Sequence, residues 1–211
     1  TYGSRTAIVS DGQAYTYETL LAVSADRARG LLATQADRGL AGDLQEARVA
    51  FLLPSAFDYV AVQWAIWRSG GVAVPLCTLH PEPELAYVID QCGATILVTQ
   101  AAWADRLRPI AEARQIPLLL IEEAWPDTGS LALAPDASLP TVAIDRPALI
   151  LYTSGTTGKP KGVVLTHANL QAQVTSLVAA WGWTASDRIL QILPLHHIHG
   201  IVNILTCALW S

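Results

Sequence analysis

The chain has 211 residues, of which 52% are hydrophobic and 15% are charged. This length is enough to bury a substantial core, and the composition is not that of a disordered segment. A formal net charge of −5, without any cluster of Lys and Arg, argues against broad nucleic-acid binding, so no nucleic-acid partner is expected.

Cysteine usage and hydropathy exclude further kinds of protein. The three cysteines, Cys77, Cys92 and Cys207, are odd in number and lack Cys-x-x-Cys spacing, so neither a disulfide framework nor a zinc cage is expected. We predict three reduced, mostly buried thiols in a cytoplasmic protein, with a removed targeting segment as the open alternative. No stretch approaches the ~20 apolar residues of a membrane helix, so no membrane span is expected.

The first third of the chain predicts helices that alternate with strands. Thr16 is placed to cap a helix. The apolar stripe of this helix comprises Leu20, Leu21, Ser24, Ala28, Leu31 and Leu32. Segment 48–53 is a short apolar strand, a capping-box-like start at Ser55 opens a helix to residue 68, and 72–76 is the next strand.

The alternation continues through the middle of the chain. Pro81 opens a helix that ends before Gly93. A strand at 94–99, a helix at 101–115 and a strand at 117–121 follow. This order predicts βαβ units, and therefore an α/β fold with parallel-rich sheets and helices on both faces.

A change of composition marks a predicted subdomain boundary. Residues 122–140 are rich in Pro, Gly, Ser and Asp, which is typical of a linker. We therefore predict a first α/β subdomain over 1–140 and the start of a second over 141–211.

The second subdomain is predicted to carry a loop between two strands. The strands cover 148–153 and 162–165, and Thr166 then caps a helix to about residue 180. A further strand is predicted over 188–193, and the apolar segment 201–210 is interpreted as a buried helix.

The segment between these strands is the most informative stretch of the chain. Residues 152–162 read YTSGTTGKPKG, with three glycines, four aliphatic hydroxyls and two lysines. Glycine lets a backbone approach a ligand closely, hydroxyls and free amides donate hydrogen bonds, and lysine adds compact positive charge. The combination favours a polyphosphate ligand and hence a nucleotide-using enzyme.

Two familiar phosphate-binding motifs do not fit this segment. A P-loop requires Gly-x-x-x-x-Gly-Lys followed by Ser or Thr, but Pro160 stands five residues after Gly155 and also follows Lys159. A dinucleotide fingerprint requires Gly-x-Gly-x-x-Gly at the start of a helix, and the segment has neither feature. We predict a phosphate-binding hairpin; the alternative is a plain hairpin turn, which requires only about two special residues.

Segment 152–162 resembles the phosphate-loop motif of the adenylate-forming superfamily, which comprises acyl-CoA synthetases, carrier-loading adenylation domains and beetle luciferases. Segments 16–20, 49–53 and 70–76 are also similar to the family, so the resemblance covers nearly the whole chain. Segment 193–203, which reads LPLHHIHGIVN, looks most like the malonyl-CoA synthetases among them.

The resemblance implies a fold and a reaction. The chain would be the N-terminal part of the large domain of an adenylate-forming enzyme, without the small C-terminal domain, and incomplete for catalysis by itself. Its substrates and cofactors would be a small-molecule carboxylate, ATP, Mg²⁺ and coenzyme A. The carboxylate attacks the α-phosphorus of ATP to give an acyl-adenylate and pyrophosphate, and the thiol of coenzyme A then displaces AMP. A carrier protein as the acceptor, or a fragment that only binds nucleotide, are the alternatives.

The resemblance also assigns roles within the loop, whose residues would wrap the β- and γ-phosphates. The implied cofactor-binding residues are Ser154, Gly155, Thr156, Thr157, Gly158, Lys159, Pro160, Lys161 and Gly162. Lys161 is the implied catalytic lysine, whereas Lys159 is expected to face solvent. Thr153 is the implied magnesium ligand.

Three histidines follow the predicted strand at 188–193. Imidazole is a common metal ligand, but no Cys, Asp or Glu adjoins His196, His197 and His199, so a metal site is the less favoured interpretation. The resemblance implies that His197 lines the acyl-adenylate site as a catalytic and substrate-binding residue and that His199 lines the acyl pocket. For His196 we favour a structural role, with a hydrogen bond to the backbone.

Overall fold

The computed structural model describes residues 2–36, 42–125, 139–153 and 158–211. The chain begins with an antiparallel hairpin, β1 (Thr6–Ser10) and β2 (Gln13–Thr16), which the sequence analysis did not predict. Helix α1 (Tyr17–Ala36) follows directly. Thr16 caps it as predicted, because its Oγ1 accepts a hydrogen bond from the backbone N–H of Thr19 at 3.1 Å.

The predicted apolar stripe of α1 is correct except at one position. Leu20, Ser24, Ala28 and Leu31 are fully buried. Leu21 is 45% exposed, so its assignment to the stripe was wrong. Adjacent residues of a helix point about 100° apart, and the buried face therefore includes Leu20 and not its neighbour.

A six-stranded sheet forms the centre of the molecule. Its strands are β3 (Arg48–Leu52), β4 (Val72–Pro75), β5 (Ile96–Thr99), β6 (Leu118–Leu120), β7 (Pro147–Thr153) and β8 (Lys161–Thr166). They lie in the order β6-β5-β3-β4-β7-β8. The first five strands in this order are parallel to one another, and β8 is antiparallel to β7. The predicted parallel-rich α/β fold is confirmed.

The helices that follow are α2 (Phe57–Arg68), α3 (Glu82–Cys92), α4 (Ala104–Arg114) and α5 (His167–Trp181). Helix α3 ends at Gly93 in the left-handed conformation, and α5 begins with a capping box between Thr166 and Asn169. The predicted cap at Ser55 was wrong: α2 begins after Ala56, which makes no side-chain cap bond, so Ser55 lies one residue too early. A 3-10 turn, Ala101–Trp103, precedes α4 where one continuous helix was predicted.

Helices cover both faces of the sheet, and alternate strand residues pack into two buried clusters. Phe51 and Leu149 join residues of α1, α2 and α5 in one cluster. Leu52 and Ile150 join residues of α3 and α4 in the other. Burial on both faces explains why these strands read as continuous apolar runs rather than as alternating ones.

The end of the chain differs from the prediction. Residues 188–193 form no strand in the described chain, and Leu190 and Ile192 are 83% and 77% exposed. A strand requires a neighbour for its backbone groups, and no described strand pairs with this segment. A π-helix, His199–Thr206, and a short helix α6 (Cys207–Trp210) follow where a single buried helix was predicted.

Three further predictions concern thiols, membranes and domains. All three cysteines are free, with Cys77 and Cys207 buried. No described helix is long and apolar enough to cross a membrane. Strands from both sides of residue 140 share the sheet, because β4 pairs with β7. Most of 122–140 lies outside the described residues, and the subdomain boundary stays a prediction.

Candidate functional site

The candidate residues gather at the edge of the sheet where the parallel strands end. Strand β7 ends at Thr153, immediately before the glycine-rich loop. Its neighbour β4 ends at Pro75, before the loop that carries His80. The His80 ring lies 6.3 Å from the ring of His196. In open α/β sheets ligands bind at the carboxyl ends of the strands, so the loop and the histidines share the favoured edge.

The strands that flank the glycine-rich loop pair as predicted. Strands β7 and β8 are antiparallel neighbours, and Thr153 opposes Lys161 in the last described pair. Of the predicted loop residues, Ser154, Gly155, Thr156 and Thr157 lie outside the described residues. Gly158 has φ +91°, a conformation that strains any residue with a side chain.

The two lysines of the loop lie on opposite sides of the hairpin. Lys161 opposes Thr153, and strand alternation puts both side chains on the face of Leu149 and Leu151. That face belongs to the cluster that also contains Leu195 of the His-rich segment.

Lys159 points the other way. Its Nζ lies 5.5 Å from the centre of the Tyr87 ring in α3, although the residue as a whole is exposed as expected. Lys161, not Lys159, therefore shares a face with the predicted acid-binding segment.

Gly162 has a packing requirement of its own. A Cβ there would lie 3.0 Å from Ile150 Cγ2 and 3.2 Å from Tyr152 Cζ. The side chain of Tyr152 thus crosses Gly162 on the paired strand, and the glycine is needed for this contact as well as for any approach to a ligand.

Two contacts hold the backbone of the His-rich segment. The buried Tyr59 of α2 donates a hydrogen bond from its hydroxyl to the Leu195 carbonyl at 2.6 Å, and burial raises the pKa of Tyr59 well above its usual value. Gly200 packs so tightly that an added Cβ would lie 2.4 Å from the Pro194 carbonyl oxygen. The segment therefore folds back on itself at a position set by α2.

His196 lies close to two other imidazoles. Its ring centre lies 4.1 Å from that of His197 and 6.3 Å from that of His80. Half-burial, and then the neighbouring His197 and His80, lower the pKa of His196 to about 4. His196 is therefore neutral at pH 7. Its ring contacts fit the structural role we favoured, but the described residues give its side chain no hydrogen bond to the backbone, which was the contact predicted. His197 is exposed.

A chain of hydrogen bonds orients His199. Gln173 Nε2 donates to Asn203 Oδ1 at 2.6 Å, which leaves Asn203 Nδ2 as a donor towards His199 Nδ1 at 3.1 Å. In this hydrogen-bond assignment His199 Nδ1 accepts, so the neutral ring carries its proton on Nε2. The exposed Nε2–H is then available to a ligand.

The predicted magnesium ligand lies at the end of β7. Thr153 is exposed, and its Oγ1 lies 3.4 Å from the Lys161 carbonyl. One hydroxyl suits an ion that keeps most of its ligands as water and phosphate oxygens. In the described part of the chain, no group of three or more His, Cys, Asp and Glu is arranged to hold a metal ion.

A cavity of about 400 Å³ lies elsewhere, between α2, α5 and the chain end. Trp64, Trp67 and His167 are among its lining residues, which include none of the predicted site residues. Its apolar lining does not suit a polyphosphate.

Sequence reasoning missed several residues that position the site: Tyr59, His80, Tyr87 and Asn203. No motif marks the first three, because each acts through a contact with a distant segment. Asn203 lies within segment 193–203, close to the histidines, but was given no role there. One available signal was overlooked, since Lys159 and Lys161 are the only lysines in the chain.

Comparison with known proteins identifies the family of the chain. A family model described as "AMP-binding enzyme" matches residues 1–211. The mitochondrial malonate–CoA ligase ACSF3 of Xenopus laevis is 42% identical over 99% of the chain and 36% of its own length. The chain therefore spans about a third of the curated relatives that it matches.

Solved structures give the same result. Apo MatB from Rhodopseudomonas palustris is 27% identical, with a TM-score of 0.80 over 99% of this chain and 41% of that one. The ATP-bound form of the same protein has a TM-score of 0.78 and 26% identity, over 99% of this chain and 41% of its own.

Proposed function

The chain belongs to the AMP-binding enzyme family, and on that premise we propose that the intact protein is an ATP-dependent acid–thiol ligase. It converts a small carboxylate, with malonate as the favoured substrate, into its coenzyme A thioester. The names of the relatives support this choice of acid and acceptor. The observation that carries the proposal is the gathering of the lysine-bearing hairpin and the His-rich segment on one face and one edge of the sheet.

In the proposed reaction, the hairpin binds the β- and γ-phosphates that leave as pyrophosphate. Its glycine amides and hydroxyls donate hydrogen bonds, and the Lys161 ammonium neutralises charge that builds on the bridging oxygen as the bond to the α-phosphorus breaks. The Thr153 hydroxyl would hold a magnesium ion that accompanies ATP, and the ion would screen the charge of the phosphate oxygens.

The acid lies on the histidine side of the hairpin. A carboxylate must approach the α-phosphorus in line with the departing pyrophosphate. The His199 Nε2–H can hold one carboxylate oxygen, since its Nδ1 is engaged by Asn203. We assign the exposed His197 to the acyl-adenylate. A neutral or charged imidazole donates to a carboxylate in either role.

The test is malonate-dependent exchange of pyrophosphate into ATP by the intact protein. Lys161→Ala is compared with Arg108→Ala, which removes another exposed cation, on α4. A charge-assisted hydrogen bond contributes about 1.5–3 kcal/mol, so Lys161→Ala should lower kcat/KM for exchange by about 10- to 100-fold. Equal rates for the two variants would contradict the proposed role of the hairpin.

The acceptor and the compartment are separate questions. A carrier protein is the alternative to coenzyme A, and thioester formation from a preformed acyl-adenylate with each acceptor distinguishes them.

The 211 residues alone are expected to turn over ATP poorly, because the resemblance assigns the adenine-binding motifs to a later part of the family's chain. The cytoplasmic location stays a prediction, and the vertebrate relatives are named as mitochondrial proteins.

A further inference from the structure

We propose that helix α3 anchors the base of the glycine-rich hairpin and that Tyr87 is the residue that positions it. The inference rests on the proposed function, because the anchored segment is the one assigned to the phosphates of ATP. It adds a residue outside the loop and outside the His-rich segment.

Tyr87 makes two contacts with the limb of the hairpin that leads into β8. Its hydroxyl donates a hydrogen bond to the Pro160 carbonyl at 3.0 Å. Its ring lies under the Lys159 ammonium, with Nζ 5.5 Å from the ring centre, which is within range of a cation–π interaction. One side chain therefore engages two consecutive residues of the loop.

The other limb of the hairpin is tied to the same helix. The Tyr152 hydroxyl donates to Gln91 Oε1 and lies 3.4 Å from the Val88 carbonyl. Tyr87 and Gln91 are four residues apart and so lie on one face of α3. The hairpin base thus rests on a single helical face.

Helix α3 is a firm support because other side chains along it are buried. Leu85, Val88 and Ile89 pack into the cluster between α3, α4 and the sheet. By contrast, the described part of the loop, residues 158–160, has a glycine at φ +91° and forms no helix or strand. Contacts with a rigid element reduce the conformational freedom that a loop loses when it closes on a ligand.

The anchor also separates the roles of the two lysines. Pro160 has no N–H, and its carbonyl, which would repel a phosphate, is directed to Tyr87. The Lys159 ammonium is held on the same side. Lys159 therefore acts on the loop through Tyr87, and Lys161 is the lysine assigned to the phosphates.

Hydrogen exchange of the intact, nucleotide-free protein tests the anchor directly. Tyr87→Phe removes the hydroxyl and keeps the ring. Tyr17→Phe is a matched control, because the Tyr17 hydroxyl also donates to a carbonyl, that of Leu209, at 3.0 Å. Loss of one such bond should speed exchange in the peptide that covers 153–163 by about fivefold in Tyr87→Phe, and leave it unchanged in Tyr17→Phe. An unchanged rate in Tyr87→Phe overturns the proposal.

Kinetics test the positioning role. In Tyr87→Phe the KM for ATP should rise about fivefold with kcat nearly unchanged. Lys159→Met should raise the KM for ATP about two- to fivefold. Lys159→Arg should return the KM to the value of the unmodified protein, because a guanidinium also stacks on tyrosine. A fall in the KM for ATP in Tyr87→Phe would mean that the anchor holds the loop away from the nucleotide, and this also overturns the proposal.

The two proposals fail in different ways. Faster exchange in Tyr87→Phe, with ATP dependence unaltered in both Tyr87→Phe and Lys161→Ala, supports the anchor and contradicts the phosphate role of the hairpin. Loss of activity in Lys161→Ala, with unchanged exchange in Tyr87→Phe, contradicts the anchor alone.

Discussion

Substitution of Gly200 by alanine should destabilise the His-rich segment, although it adds only one methyl group. The added Cβ would lie 2.4 Å from the Pro194 carbonyl oxygen and 3.2 Å from the Pro194 carbonyl carbon. The obstacle is backbone, so no side-chain rotation can relieve the contact. Pro194 would have to recede by at least about 0.6 Å to reach 3.0 Å, the lower limit for real Cβ contacts.

The magnitude follows from three contributions. Overpacking of this kind costs about 1–3 kcal/mol. Movement of Pro194 also stretches the hydrogen bond from Tyr59 to the adjacent Leu195 carbonyl, for about 1 kcal/mol more. Alanine gains about 1 kcal/mol over glycine within a helix, and Gly200 lies in the π-helix. The net loss of stability is about 2 kcal/mol, or roughly a 30-fold change in the unfolding equilibrium.

Urea unfolding of the intact protein, followed by tryptophan fluorescence, measures this loss. For an m value of about 2 kcal/mol/M the midpoint should fall by about 1 M. Gly3→Ala is the control, because a Cβ at Gly3 meets only Glu18, at an ordinary 3.6 Å. We also expect Gly200→Ala to raise the KM for malonate, since His197 and His199 flank the displaced turn. Midpoints that agree for the two variants would refute the close contact between Gly200 and Pro194.

Two further substitutions probe the same segment. Tyr59→Phe leaves the Leu195 carbonyl without its donor and should cost about 1–3 kcal/mol; an unchanged thermal midpoint would contradict this. The pKa of His196 is about 4 in the folded protein, below its ordinary value of 6.5. Burial is the main cause, and the neighbouring His197 and His80 add to it. The unfolded chain binds this proton first as the pH falls, so the contribution of His196 to stability is complete above about pH 6.5 and is lost towards pH 4. His196→Asn should flatten the dependence of Tm on pH in this window, and an identical slope would argue against the shift.

Local signals predicted much of the fold. Thr16 and Thr166 have hydroxyls that reach the amides three residues on, and both caps were predicted correctly. Gly93 ends its helix in the left-handed conformation that glycine adopts without strain. Such features depend on a few adjacent residues, and the alternation of apolar strands with helices then restricts the topology to a parallel-rich sheet.

The incorrect predictions required information from outside the segment concerned. Segment 188–193 has strand-like composition, but strand formation depends on a neighbour that the described chain does not provide. Leu21 is apolar, yet the direction of the buried face is decided by contacts between α1 and the rest of the core. Composition alone specifies neither the neighbouring strand nor the direction of the buried face.

The sequence by itself determined the chemistry of this protein: a loop of glycines, hydroxyls and the chain's two lysines between two apolar strands, followed by a run of histidines. Only the tertiary structure decided which lysine faces the histidines, and that Tyr59 and Tyr87 hold the two segments in place. The reason is physical. Residue types and short spacings set which groups are available, whereas strand register and helix packing, formed by residues 60–140 positions apart, set where those groups point.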